Sequence, residues 1–226
     1  MTLDLRIEGV DEDALETVVV RQLLLAGYTG RDRKAVLEHV QELKALGVDS
    51  PERIPMVFVV DPARVEVTDT VEAGGPETSG EVEVVLFHSG DDLLVGVGSD
   101  HTDRAHEAVD VAESKARCAK PVAPVVWRYR DIVWHWDELE LRSWTTDDEG
   151  RRLYQEGTLA EFLPVTGLLD ELGEAGFADL ADTVVFGGTL PTLGGLACGH
   201  RFEFELRDPV LDRSISADYA VRVSDG

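Results

Sequence analysis

The stretch from Glu81 to Arg104, EVEVVLFHSGDDLLVGVGSDHTDR, holds two apolar runs, Glu81 to Phe87 and Leu93 to Val97, around Ser89-Gly90-Asp91-Asp92. Apolar runs of this length separated by Gly and Asp predict a hairpin of two strands. Glu81 and Glu83 stand two residues apart, so on a strand both project to one face. Like charges held that close repel, and neither is easily tolerated facing a core. A hard divalent cation such as Mg²⁺ or Mn²⁺ relieves both problems, because it takes oxygen ligands and keeps several waters. Asp100, from the turn after the second strand, completes a facial set of oxygens with positions left open for a ligand. Taken alone, the glutamate pair is weak evidence, since a solvated strand face is the commoner outcome in a chain this acidic.

The chain has 226 residues, 43% of them hydrophobic, enough for one large domain with a substantial core. It carries 45 Asp and Glu against 21 Lys and Arg, a formal net charge of −24. The lysines are only Lys34, Lys44, Lys115 and Lys120. Nucleic acid and anionic membranes are disfavoured partners, because phosphate neutralisation needs a basic stripe and the chain has none. An acidic, lysine-poor globular chain suits a high-salt, halophilic cytoplasm, where screening suppresses self-repulsion. Cys118 and Cys198 lack metal-type spacing and read as free thiols in a reducing compartment. No apolar run is long enough to cross a bilayer, and Met1 to Gly9 lacks the basic-then-apolar pattern of an export signal, so the expected location is the cytoplasm.

Outside the hairpin, Thr2 to Ile7 alternates and predicts a strand, and Thr17 to Leu25 predicts a single longer buried strand. Gly27-Tyr28-Thr29-Gly30 is a turn. Val36, Val40, Leu43 and Leu46 recur at helical spacing from Asp32 to Leu46, with Gly47 at the C-cap. Met56 to Val60 follows Pro51 and Pro55 as a strand. Arg104 to Arg117 predicts one helix, capped by Thr102 or Asp103. Leu139 to Thr145 pairs with Leu153 to Gln155 across Asp148-Glu149-Gly150, Leu168 to Ala175 is a short helix, and Val184 to Phe186, Phe202 to Leu206 and Ser214 to Val223 are strand-like. The class is α+β, with no βαβ alternation. Trp127, Trp134, Trp136 and Trp144 read as core and interface aromatics.

Taken in order, His39-Val40-Gln41-Glu42, Glu81-Val82-Glu83, Asp100-His101-Thr102-Asp103-Arg104 and Gly188-Thr189-Leu190 resemble the fumarylacetoacetate hydrolase (FAH) superfamily. That superfamily carries His-x-x-Glu in an N-terminal lid, then Glu-x-Glu, then Asp-x-Ser/Thr-x-Arg, then a Gly-Thr-Pro turn. Tyr154-Gln155-Glu156-Gly157-Thr158 looks like its Gln-containing hairpin, and Met56-Val57-Phe58 after Pro55 like its Pro-x-x-Phe strand. The resemblance spans roughly residues 20 to 223. Leu190 replaces the usual proline, Gly199-His200 stands where Gly-Asp is typical, and Glu83 to Asp100 is shorter than usual, as if a connecting helix had become a hairpin. The chain is also similar to a bacterial and archaeal family of unknown function.

The resemblance implies an FAH-like mixed β-roll with a few flanking helices and an N-terminal lid helix. It implies one catalytic domain over 1–226, with 1–60 as a smaller N-terminal strand and lid region, assembled as a homodimer. It implies Glu81, Glu83 and Asp100 as metal ligands for Mg²⁺ or Mn²⁺, and His39, Glu42 and Lys115 as catalytic residues, with Lys120 the alternative to Lys115. Arg104, Thr189, Gly188 and Gln155 are the implied substrate contacts. The implied function is a metal-dependent enzyme on a small 2-oxo or 1,3-diketo acid, with hydrolysis of a C–C bond in an acylpyruvate-type substrate. The alternatives are a lyase, decarboxylase or dehydratase on a sugar-derived 2-oxo acid, or a non-catalytic binding protein that kept the fold.

Overall fold

In the computed structural model, the structure describes residues 1–45, 51, 53–90 and 92–224, without the side chains at 39 and 42–45. Two sheets form the body. The larger has eight strands in the order Ala14–Val19, Thr2–Ile7, Val125–Arg128, Asp92–Ser99, Val82–Ser89, Thr183–Thr189, Gln22–Gly27 and Met56–Val60. The smaller has five, in the order Gly150–Thr158, Glu140–Asp147, Arg201–Asp208, Arg213–Val223 and Thr70–Ala73.

The central strands of the large sheet carry apolar residues on both faces, so Val82–Ser89 is buried without alternation over its first six residues. One face packs against the small sheet and the helix Val165–Glu174, joining Val82, Val84, Leu86 and Val97 to Leu168, Phe202, Phe204 and Tyr219. On the other face, Leu3, Leu5 and Ile7 share a cluster with Val85, Phe87, Phe58 and Val60. Strands near opposite edges meet there only because the sheet curls around that core. The result is the expected α+β mixed roll.

The hairpin forms as read, with Val82 paired to Ser99 and Glu83 to Gly98. Asp91 of its turn lies outside the described residues, as does Gly47 at the expected C-cap. The helix Arg33–Ala45 and the strand Met56–Val60 also match. Two expectations need correction. The single strand expected over Thr17 to Leu25 is two strands, Ala14–Val19 and Gln22–Gly27, because the chain reverses at Val20-Arg21 and the halves enter different places in one sheet. The single helix expected over Arg104 to Arg117 is two, Arg104–Glu107 and Val111–Arg117. Asp103 caps the first by accepting from His106 N, and Asp110 caps the second by accepting from Glu113 N at 2.9 Å. An aspartate that offers its carboxylate to a new first turn ends the helix before it.

Trp127 and Trp136 are buried, Trp144 lies half-buried beneath the Arg151 guanidinium, and Trp134 is exposed. No described helix is long and apolar enough to cross a membrane.

Candidate active site

The hairpin register builds the acidic cluster. Antiparallel pairing of Val82 with Ser99 puts the residues just beyond each strand end side by side, and Asp100 N donates to Glu81 O at 2.9 Å. Glu83 lies one pair further in, opposite Gly98. There the Lys120-Pro121 segment crosses the strand so closely that a Cβ on Gly98 would stand 2.8 Å from Pro121 O. One carboxylate oxygen each from Glu81, Glu83 and Asp100 lies within 4.8 Å of the other two. Glu83 and Asp100 are buried and Glu81 is partly so.

Both candidate lysines enter the cluster. Lys115, in the last turn of Val111–Arg117, reaches Asp100 Oδ2 at 2.5 Å and Glu81 Oε2 at 3.3 Å. Lys120 is wholly buried behind Asp100, with its ammonium 3.1 Å from Oδ1. It also donates to the carbonyls of His101 at 2.7 Å, Cys118 at 3.2 Å and Lys115. Lys115 is therefore the lysine at the mouth, and Lys120 the one that holds Asp100 from within. Burial works against the Lys115 charge, but Asp100, Glu81 and Glu83 outweigh it and hold its pKa above the usual lysine range. For Asp100, burial is likewise outweighed by Lys115 and Lys120, and its carboxyl titrates below the usual range. Glu83 goes the other way: burial, then the charge of Asp100, raises its pKa well above the ordinary value.

A divalent cation fits this donor set. The three groups are hard oxygen donors at ligand separation. Asp100 Oδ1 is buried and accepts no hydrogen bond among the described residues, for all the nearness of the Lys120 ammonium. Glu83 is a buried acid that the monovalent ammonium of Lys115 does not suffice to keep in its usual range.

The four residues expected to contact substrate all stand at the acidic cluster or its strand. Gln155 is fully buried and its whole amide is engaged. Its Oε1 accepts from Val82 N and Ser143 Oγ, both at 2.9 Å, and its Nε2 donates to Thr189 Oγ1 and Leu190 O, both at 2.7 Å. Thr189 Oγ1 donates onward to Val82 O at 2.9 Å. Gly188 N donates to Glu83 Oε2 at 2.8 Å. Gly188 has φ +98°, and a Cβ there would collide with Thr29 Oγ1, so the close approach needs glycine. Arg104 directs Nε to Ser79 Oγ at 2.7 Å, Nη1 to Glu107 at 2.9 Å and Nη2 towards Glu81 Oε1 at 2.9 Å. All four thus hold the acidic residues and their strand in place.

His39 and Glu42 fall on the helix Arg33–Ala45, three residues apart, but their side chains lie outside the described residues. A buried network beside Asp100 escaped the sequence reading. His101 Nδ1 and Ser99 Oγ both meet Tyr219 Oη at 2.8 Å. Burial, then Lys120 and Arg104, brings the His101 pKa down to about 3, so the ring is neutral. No local pattern marks Tyr219 for this contact, which is made across 118 residues.

A family described only as a protein of unknown function, DUF2848, matches residues 26–219. The chain belongs to that family. None of the curated proteins matches the DUF2848 chain in sequence. Solved structures match its fold over nearly the whole length. Yeast ynq8, a fumarylacetoacetate hydrolase family protein, is 14% identical with a TM-score of 0.63, over 92% of this chain and 95% of that one. A 5-carboxymethyl-2-hydroxymuconate delta-isomerase from Mycobacterium smegmatis is 15% identical with a TM-score of 0.62, over 95% and 82%. A 2-hydroxyhepta-2,4-diene-1,7-dioate isomerase from Mycobacterium marinum is 12% identical with a TM-score of 0.62, over 100% of both chains. At these identities the likeness establishes the fold: this DUF2848 chain has the FAH fold.

Proposed function

We propose that the protein is a divalent-metal-dependent enzyme that acts on a small 2-oxo or 1,3-diketo acid, with C–C bond hydrolysis as the reaction. The observation that carries the proposal is the convergence of Glu81, Glu83 and Asp100 around Lys115 at the end of the hairpin. The names of the structural neighbours, two of them isomerases of small unsaturated hydroxy acids with two or three carboxylates, support the substrate class.

Glu81, Glu83 and Asp100 would hold Mg²⁺ or Mn²⁺, which when bound supplies a Lewis acid for the oxygens of the substrate's keto and carboxylate groups. The residues around them fix that donor set: Gly188 N and Arg104 orient Glu83 and Glu81, and Lys120 orients Asp100. Lys115, cationic and at the mouth, is placed to stabilise negative charge that develops on the substrate. His39 activates the attacking water and Glu42 orients the imidazole, brought in by a lid that includes the helix Arg33–Ala45. Assembly as a homodimer belongs to the same reading, and light scattering checks it.

The test is a titration with Mn²⁺ and Mg²⁺ followed by a panel of acylpyruvates and 2-oxo acids. Metal-dependent cleavage of an acylpyruvate is the expected result. Turnover confined to decarboxylation or dehydration of a 2-oxo acid would favour the lyase reading, and metal binding without turnover the binding-protein reading. His39→Ala should abolish hydrolysis and spare any metal-driven decarboxylation, since only hydrolysis needs the activated water. An unchanged hydrolysis rate removes His39 from the mechanism.

A further inference from the structure

Glu81 and Asp100 come from a gap in a strand ladder. Val82 pairs with Ser99 at the end of the hairpin, and the same antiparallel register resumes where Ser79 pairs with Thr102. Between these pairs, Gly80-Glu81 and Asp100-His101 leave the strand pairing, although Asp100 N still donates to Glu81 O at 2.9 Å. Strand geometry therefore does not by itself set the separation of the two carboxylates.

Tyr219 fills the gap. It belongs to the strand Arg213–Val223 of the small sheet, where it pairs with Phe202, and it is fully buried. Its hydroxyl meets Ser99 Oγ and His101 Nδ1, both at 2.8 Å, so it grips the residues on either side of Asp100. On the facing chain, a Cβ on Gly80 would stand 2.6 Å from the same hydroxyl and 2.7 Å from the Phe202 ring. Glu81 thus follows a residue that must be glycine for Tyr219 to come this close. The Tyr219 ring stands edge-on to the His101 imidazole, with centroids 5.4 Å apart, and packs against Phe202 and Phe204. Those two phenylalanines fill the same core without a hydroxyl, and the aromatic that reaches between Ser99 and His101 carries one. Burial holds the phenol protonated by raising its pKa well above the usual value. Unlike Lys115, Lys120 and Arg104, it fixes position without placing a charge among the acids.

We infer that Tyr219 is a positioning residue of this site: its hydroxyl sets the spacing between Glu81 and Asp100, and so the size of the cation they accept. This rests on the metal reading above. A rigid set of oxygens suits a small octahedral cation such as Mg²⁺ or Mn²⁺, whereas Ca²⁺ takes longer bonds and looser geometry. As filler for the core, phenylalanine would serve as well. It would, however, leave Ser99 Oγ and His101 Nδ1 without this partner and the gap free to relax.

Calorimetry on the full chain with Mn²⁺ and with Ca²⁺ tests this. Tyr219→Phe should bind Mn²⁺ about tenfold more weakly, as loss of an outer partner does. It should lose less for Ca²⁺, so that the preference for Mn²⁺ narrows. Phe204→Leu, which packs on the same ring but offers the gap no polar group, should lower the melting temperature and leave both affinities as they are. Ser99→Ala takes away one partner of the hydroxyl. It should shift the preference in the same direction by a smaller factor, and it carries the test should Tyr219→Phe not fold. Unchanged Mn²⁺ affinity in Tyr219→Phe overturns the inference, as do equal losses for the two cations or the same narrowing in Phe204→Leu. If the unaltered protein binds no Mn²⁺, the reading of the site fails and this inference falls with it. If it binds Mn²⁺ and Tyr219→Phe matches it, only the inference about Tyr219 fails.

Discussion

Among the described residues, two groups of charged side chains are buried, and they are built on opposite rules. Around Asp208, every carboxylate oxygen is engaged. Oδ1 accepts from His135 Nε2 at 2.9 Å and from the backbone of Val210 and Leu211 at 3.1 and 3.0 Å, and Oδ2 from Arg213 at 3.3 Å. Arg213 also donates to Glu8 O at 3.0 Å and lies over the ring of Trp127. This cluster ties the Thr2–Ile7 connection, the Val125–Arg128 strand and the small sheet together. Around Glu83 and Asp100, three carboxylates share two ammonium groups, one guanidinium and one backbone N–H. Glu83 titrates high, and Asp100 Oδ1 meets the Lys120 ammonium at 3.1 Å as an ion pair without an aligned hydrogen bond among the described residues. A buried anion with all its donors in place is a fastener; buried anions short of donors call for a ligand.

The sharpest test exchanges the consequences. Glu83→Ala should eliminate Mn²⁺ binding, a loss of more than about a hundredfold, because outer partners alone are worth 10- to 100-fold. The fold should survive, since the substitution also removes like-charge repulsion. Retained Mn²⁺ affinity in calorimetry would break the comparison at its functional end.

Asp208→Ala should do the reverse. Removing one partner of a buried pair costs about 3–5 kcal/mol, a fall of about 10 °C in melting temperature for a chain of this size. Mn²⁺ affinity should be untouched. The pH dependence has a definite sign. Burial raises the Asp208 pKa, but His135, Leu211 and Arg213 outweigh it and lower the folded value. A carboxyl depressed by folding contributes stability above its unfolded pKa of about 4 and loses it as pH falls through the folded value. Melting curves of Asp208→Asn should therefore flatten below about pH 4 relative to the unaltered protein; an identical acid limb would refute the assignment.

The smallest effect concerns Lys115. Its ammonium stands between Asp100 and Glu81, where it competes with an added cation. Lys115→Met should raise Mn²⁺ affinity about fivefold, the worth of roughly one ion pair, and lower turnover. Affinity that stays the same or falls would show that Lys115 helps hold the acids in ligand position.

Much of the site was legible because it is local. Glu81, Glu83 and Asp100 sit at the ends of one hairpin, and a two-strand pairing with a Gly-Asp turn fixes which residues face each other. The protein contacts of Arg104, Gln155, Gly188 and Thr189 were not legible in the same way. Motif order brings these residue types to the site, but whether a guanidinium faces substrate or carboxylate depends on what else stands within 3 Å. Lys120 shows the same limit. It stood only as the alternative to Lys115, whereas the crossing of its segment over Gly98 puts it directly behind Asp100.

The sequence by itself determined the α+β class, the hairpin, the acidic cluster and the order of motifs that matches the FAH fold. These follow from periodicity, turn chemistry and spacing along the chain. Only the tertiary structure decided which polar groups serve the acids and which remain open. The Gln155–Thr189, Gly188–Glu83 and Thr29–Gly187 bonds join residues 34, 105 and 158 positions apart. The curl of the large sheet brings those partners together, and side-chain packing over such separations leaves no periodic trace in the sequence.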